Sequence, residues 1–263
     1  MSYRAAALTA VAVAAGLAVT GCRFEVNMGS RSVTDDANVS GPLSAVRLEA
    51  GAGDITIHTG PRAGAAIHRT IHYRGTTKPQ PSQQVTDGVL TFVRGCADCS
   101  IDYDLTVPAS VRVRIHNGSG SIRVADVAAT DIQAGSGDIG VHNVHGAVRA
   151  HTGSGTVRVD SVGAQNDLHA SSGDIVATAL GGGTLRADTG SGSIRLTFGV
   201  APSKVWAMTG SGDMVIKLPS GRYKVDSSAG SGDRNINVPN DPAATATVFA
   251  KTGSGSIHID PAG

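Results

Sequence analysis

One phrase recurs along this chain and decides what it can fold into: Gly-Ser-Gly, then Asp, Ser or Thr, then as a rule an apolar–any–apolar triplet. Copies begin at Gly118, Gly135, Gly153, Gly190, Gly210, Gly230 and Gly253. A copy with Ser in the first place begins at Ser171, and an outlying GAGDITI begins at Gly51. Successive downstream copies lie 17 to 23 residues apart. A near-fixed period with one turn signal per period means stacked units, none able to bury its own apolar face.

Aligning the copies on their first glycine exposes a core. Before the turn the in-facing pairs include Val113 and Ile115, Val148 and Ala150, and Val205 and Ala207. After it they include Ile122 and Val124, Ile139 and Val141, and Ile257 and Ile259. Period-two alternation marks strands with one buried face. Each unit thus supplies two short strands around a bend, and stacked units would pair strand on strand about 4.8 Å apart. The fold class expected is all-β: a single-stranded parallel β-solenoid of about 18–20 residues per coil, with an irregular N-terminal start. The second glycine of the turn never varies downstream, at Gly120, Gly137, Gly155, Gly173, Gly192, Gly212, Gly232 and Gly255. It is assigned the position with positive φ, where a side chain is costly.

The residue after the turn alternates: Ser121, Asp138, Thr156, Asp174, Ser193, Asp213, and then Asp233 breaks the order before Ser256. Arg123, Arg158 and Arg195 accompany the Ser/Thr units. One unit per coil keeps like charges apart except where Asp213 would meet Asp233. Two units per coil would stack Asp on Asp, at roughly 1 kcal/mol of repulsion per pair. The charge pattern favours the shorter coil.

The chain divides into four parts. Residues 1–21 read as a lipoprotein signal peptide: Arg4, an apolar run over 5–19, then Val19-Thr20-Gly21-Cys22 in the manner of a lipobox. The run is too short for a comfortable membrane span. Cys22 is the expected lipidation site. Residues 22–43 read as a polar tether, 44–117 as irregular first coils, and 118–263 as the regular array. Cys96 and Cys99, in GCADCS, are the only other cysteines. Outside the membrane a disulfide is the default for such a pair, with metal and redox chemistry as alternatives.

Little in the sequence points to catalysis. GSGDIG at 135–140 matches a dinucleotide fingerprint in letters, but a strand follows where that motif needs a helix. The serines sit in repeated turns, whereas a catalytic serine should be singular. Calcium-binding β-rolls carry an Asp in every turn, and here about half the turns have one. His151 and His169 should be outward neighbours, yet two surface histidines hold metal weakly. No cofactor and no metal site is expected. Trp206 and Phe249 fall on an outward column, open to a sugar- or partner-binding role or to a merely covering one. Without Arg4 the chain carries 21 basic and 21 acidic residues, so no excess of charge draws it to nucleic acid.

The lipobox, the Cys96/Cys99 pair followed by SIDYDLTVP, and the tandem GSGDI and GSGSIRV units together resemble the putative-adhesin family of bacterial GSGD-repeat surface lipoproteins, a domain of unknown function. The resemblance spans roughly residues 45–260. It implies a β-solenoid at the cell envelope with an adhesin-like role, and it carries no catalytic residues across. The reading is a non-enzymatic lipoprotein held by Cys22 at the extracytoplasmic face of the cell membrane. Its rod would bind cell-wall polysaccharide or a surface protein, or act as a spacer. Two rivals stand beside it: an envelope-stress sensor using the same rod, and a polysaccharide-acting β-helix enzyme.

Overall fold

A computed structural model of the chain describes residues 30–93, 98–163 and 165–262. The described residues form strands and no helix. In chain order the strands are β1 Arg31–Val39, β2 Ala45–Ala52, β3 Ile55–Thr59, β4 Ala65–Tyr73, β5 Gln83–Thr86, β6 Val89–Phe92, β7 Cys99–Val107 and β8 Arg112–Ser119. There follow β9 Ile122–Ala125, β10 Ala129–Ser136, β11 Ile139–His142, β12 Val148–Ser154, β13 Val157–Asp160, β14 Gln165–Ser172, β15 Ile175–Leu180 and β16 Thr184–Ser191. The last are β17 Ile194–Phe198, β18 Lys204–Ser211, β19 Met214–Leu218, β20 Lys224–Ser231, β21 Arg234–Ile236, β22 Thr247–Ser254 and β23 Ile257–Pro261.

Each glycine turn divides its unit between two sheets. The strand before the turn joins an 11-stranded sheet, ordered β20-β22-β18-β16-β14-β12-β10-β8-β2-β6-β5. The strand after it joins a 12-stranded sheet, ordered β1-β4-β7-β3-β9-β11-β13-β15-β17-β19-β23-β21. Pairing among the repeat strands is parallel and in register at one unit per step: Val113 lies beside Thr130, Thr130 beside Val148, and Val148 beside Asn166. Alternate residues of both sheets meet in a thin core that excludes water. Ile115, Ile132, Ala150, Leu168 and Ala187 form one buried column, and Ile122, Ile139, Val157, Ile175 and Ile194 another. Apolar burial of this kind, repeated layer after layer, is the main stabilising term.

The order of layers departs from chain order at both ends. The GAGD unit (β2/β3) lies directly against the Gly118 unit (β8/β9), and β4 to β7 lie beyond it. At the other end the final unit, β22/β23, is inserted between β18/β19 and β20/β21. The expected meeting of Asp213 and Asp233 therefore does not occur. Asp213 neighbours Ser256, and Asp233 lies on the far side of it. In space the corner runs Asp54, Ser121, Asp138, Thr156, Asp174, Ser193, Asp213, Ser256, Asp233, an unbroken alternation. The insertion also explains how the stack ends. Val248, Ala250, Ile257 and Ile259 of the last unit are buried. The more polar Gly230 unit, with Ser227, Ser228 and Asn235, forms the edge instead. A polar, short edge is how sheets avoid pairing with strangers.

The tether expected over 22–43 is also corrected: residues 31–39 are strand β1, antiparallel to β4. The segment RSVTDDANV hid its alternation because one in-facing residue is Asp35. That carboxylate pairs with Arg69, which is 3% exposed and points inward between Ile67 and Ile71. Arg69 also donates to Gln83 Oε1 at 2.8 Å, tying β4 to β5. Asp35→Ala would leave a buried guanidinium without its counter-charge, at a cost of about 3 kcal/mol. Urea unfolding should show that loss, and adding Arg69→Met to the same chain should recover most of it.

Candidate functional site

The one feature every layer shares is the glycine corner, so the site is built outward from it. The eight invariant second glycines have φ between +113° and +144°. A methyl group on Gly137 would lie 2.2 Å from the carbonyl oxygen of Gly120 in the adjoining layer. Backbone therefore packs on backbone at the corner, and only glycine combines that φ with that approach. The first glycine is less strict, since Ser171 occupies the equivalent place in its own layer.

Two ladders lace the corner. On the outside, every corner Asp except Asp233 at the end of the stack accepts a backbone N–H from the next layer. Ser121 donates to Asp54 Oδ1, Thr156 to Asp138 and Ser193 to Asp174, each at 2.8 Å, and Ser256 donates to Asp213 at 2.9 Å. This is the physical reason for the alternation: a carboxylate in one layer caps the amide of a neutral neighbour, and carboxylates stay two layers apart. On the inside, where the residue before a turn is Thr or Asn, it caps the carbonyl of the corner glycine in the neighbouring layer. Thr152 Oγ1 donates to Gly137 O at 3.0 Å, Thr189 to Gly173 O and Thr209 to Gly192 O at 2.9 Å, and Asn117 Nδ2 to Gly53 O at 3.0 Å. Sequence reasoning missed this inner ladder. The signal was present, as Asn or Thr immediately before many of the glycine turns.

The opposite corner was missed as well. Asp126, Asn143, Ser161 and Ala179 stack at φ between +48° and +63°, the left-handed region. Asn143 Nδ2 donates to Asp126 Oδ1 at 2.6 Å, so the short polar side chains contribute locally. Ala179 has no such compensation. Ala179→Gly should stabilise the chain by about 1 kcal/mol, read as a rise in the denaturation midpoint.

The outer face of the post-turn sheet carries a shallow cavity of about 500 Å³. Gly140, without a side chain, leaves a notch between Arg123 and Arg158. Arg158 reaches Asp138 at 3.7 Å and Arg195 reaches Asp174 at 3.9 Å, the diagonal pairing expected of alternating layers. His142 and Asp160 border the notch, 3.0 Å apart. Hydrogen bonds from Thr178 and Ser161, with His142 nearby, hold the Asp160 carboxyl below the usual range. A depressed carboxyl adds stability at neutral pH that is lost as pH falls through its titration. The stability gap between the wild type and Asp160→Asn should accordingly shrink toward zero in acid, in melts run from pH 7 downward.

The outer face of the pre-turn sheet is of different character. Trp206 and Phe249 stack in register, ring centroids 6.0 Å apart and planes 12° from parallel. The Arg186 guanidinium carbon lies 4.0 Å from the Trp206 ring centre, one layer to the other side. Both faces of the indole are thus covered, and the stack offers ring edges to solvent. His151 and His169 are neighbours as expected, with ring centres 5.6 Å apart. Each faces an Asp of the next layer: His151 faces Asp167 at 3.6 Å and His169 faces Asp188 at 3.2 Å. Among the described residues no three His, Cys, Asp or Glu side chains are grouped to hold a metal.

Cys99, at the start of β7, is disulfide-bonded. Cys96, Cys22 and the signal segment lie outside the described residues.

Two all-β sheets of mostly parallel strands, laced at a glycine corner and not closed on themselves, define a β-solenoid-like repeat protein. The chain belongs to the Toastrack DUF4097 family, whose sequence pattern matches residues 100–260. Among solved structures it is similar to a protein from Bacteroides fragilis titled a putative adhesin. The two are 13% identical, 88% of this chain and 98% of that one are covered, and the TM-score is 0.48. A Parabacteroides merdae protein with the same title is 12% identical, with 89% and 97% covered and a TM-score of 0.39. A Clostridium sporogenes protein titled a putative cell adhesion protein is 12% identical, with 88% and 100% covered and a TM-score of 0.27. No curated protein matches the sequence.

Proposed function

We propose that this chain is a non-enzymatic envelope lipoprotein whose rod, a single-stranded β-solenoid of one GSGD-type unit per coil, is an adhesin-like binding surface or spacer. Residues 1–21 direct export and Cys22 carries the lipid, leaving the rod at the extracytoplasmic face of the cell membrane. More than one acyl chain on that cysteine gives stable anchoring. Cys96 and Cys99 close a small disulfide loop ahead of β7, in keeping with an oxidising compartment.

The observation that carries the binding reading is the pair of uninterrupted outer faces running along nine stacked layers. Their charged side chains recur at a fixed step instead of converging on one cleft, which suits an extended partner better than a reaction centre. The test has two arms. Cys22→Ala should abolish incorporation of labelled fatty acid and release the protein from washed membranes. The detergent-purified full chain should bind isolated envelopes without releasing soluble products from them. Unchanged membrane retention, or turnover of wall material, would overturn the reading.

A further inference from the structure

We infer that the outer face of the pre-turn sheet is a docking trough for a linear, thin-backboned polyanion of phosphodiester chemistry; the inference rests on the surface-binding reading above and names its partner. Two concavities on this face, of about 370 and 520 Å³, share Ala147 and Arg149 and so form one channel along the rod. It runs from Ala45 on β2 to Lys204 on β18, seven layers or about 30 Å at the strand spacing.

The charge in the channel is one-sided. Arg47, Arg112, Arg114, Arg149, Arg186 and Lys204 line it, against the carboxylates of Asp131 and Asp167. Asp131 holds Arg114 at 3.1 Å, and Asp167 lies 4.0 Å from Arg186. Among the described residues the other four cations have no carboxylate within 4.0 Å. This local excess arises in a chain of net charge +1, although Glu49 and Asp188 also face outward on this sheet, two residues beyond Arg47 and Arg186. Such a local excess of positive charge along a channel attracts an anionic partner to it.

Shape selects among anions. Ala45, Ala129 and Ala147 form a recessed floor beside the arginines, so the surface is concave along the rod. A bilayer is flat and would meet only the protruding tips. The first stretch is a shallow, open depression of about 370 Å³ over four layers, deep enough to seat a thin polyol-phosphate chain along the rod. Covered ring faces on Trp206 leave no platform for base or sugar stacking. Arginine forks suit phosphate oxygens two at a time.

The test is fluorescence anisotropy with the detergent-purified full chain and labelled poly(glycerol phosphate). Binding should weaken steeply with added salt, as counterion release requires. Arg47→Ala/Arg112→Ala/Arg149→Ala, all on exposed side chains, should lower affinity about tenfold with an unchanged melting curve. The matching triple on the other sheet, Arg123→Ala/Arg158→Ala/Arg195→Ala, should change it by less than about twofold. No binding, or equal loss in both triples, overturns the inference. So does tighter binding of phosphatidylglycerol vesicles, polygalacturonate or single-stranded DNA. Membrane retention through Cys22 and envelope binding are read separately, so a failed polymer assay leaves the broader function standing.

Discussion

Ile259→Ala is expected to destabilise the rod by about 3 kcal/mol, and Ile236→Ala by less than about 1 kcal/mol. The two residues hold equivalent places in successive units of the chain, so a stack in chain order would bury Ile236 within and leave Ile259 at the edge. The observed order reverses this. Ile259 is fully buried between β19 and β21, whereas Ile236 is partly exposed on the edge strand. Deleting residues 244–263 should do still more. It removes β22 and β23, which are the partners of β20 and β21, so two layers are lost for one deleted. Three large side chains, Val248, Ile257 and Ile259, leave the core, a loss on the order of 5 kcal/mol. The exposed edge of β18 and β19 then invites pairing between molecules. Thermal melts together with size-exclusion chromatography would show both effects.

Gly137→Ala is expected to be nearly as severe, about 4 kcal/mol or failure to fold. The added carbon would sit 2.2 Å from the Gly120 carbonyl oxygen, and that oxygen is main chain and cannot step aside. The φ of +126° is itself closed to alanine at ordinary cost. Gly135→Ser should be milder, about 2 kcal/mol, because its φ is not positive and Ser171 occupies the equivalent place in its own layer, although the added carbon would lie 2.5 Å from the Gly118 carbonyl oxygen and the layers must shift to admit it. The contrast between neighbouring glycines separates the cost of a positive φ from the cost of close approach, which both share. Expression yield and chemical unfolding of the two variants would measure it.

The fold was legible in the sequence where the repeat was. Alternating Val and Ile around each glycine turn specified two strands per unit, which face lay inward, and where φ turns positive. The order of layers was not legible at the ends. Nothing in KVDSSAGSGDRNI says that a later unit will be laid inside it; only its polarity, read against the more apolar TVFAKTGSGSIHI, hints that it suits an edge. The apparent break at Asp233 was in fact such a hint, since inserting Ser256 restores the alternation. Strand β1 escaped because its inward Asp35 resembles a surface residue until Arg69 is placed beside it. The inner ladder of Asn117, Thr152 and Thr189 escaped because a hydroxyl or amide beside a glycine turn reads as loop chemistry. The outer faces are harder for a plainer reason. Their charges lie scattered along the sequence, and only the register of pairing shows that Arg47, which lies beside Arg114 of the next layer, shares a trough with it.

The central claim is that each glycine unit is one layer and that the last unit in the chain is the last but one in the stack. Oxidative cross-linking of paired cysteines reads this most directly. In-register neighbours, such as Ser211 and Ser254, lie within reach of a disulfide, whereas positions two layers apart, such as Ser211 and Ser231, are roughly 9.6 Å apart and out of reach. The account predicts that Ser211→Cys/Ser254→Cys forms its bond in the folded protein and that Ser211→Cys/Ser231→Cys does not, as mapped by mass spectrometry of peptides. Ready closure of the second pair with none in the first would contradict it.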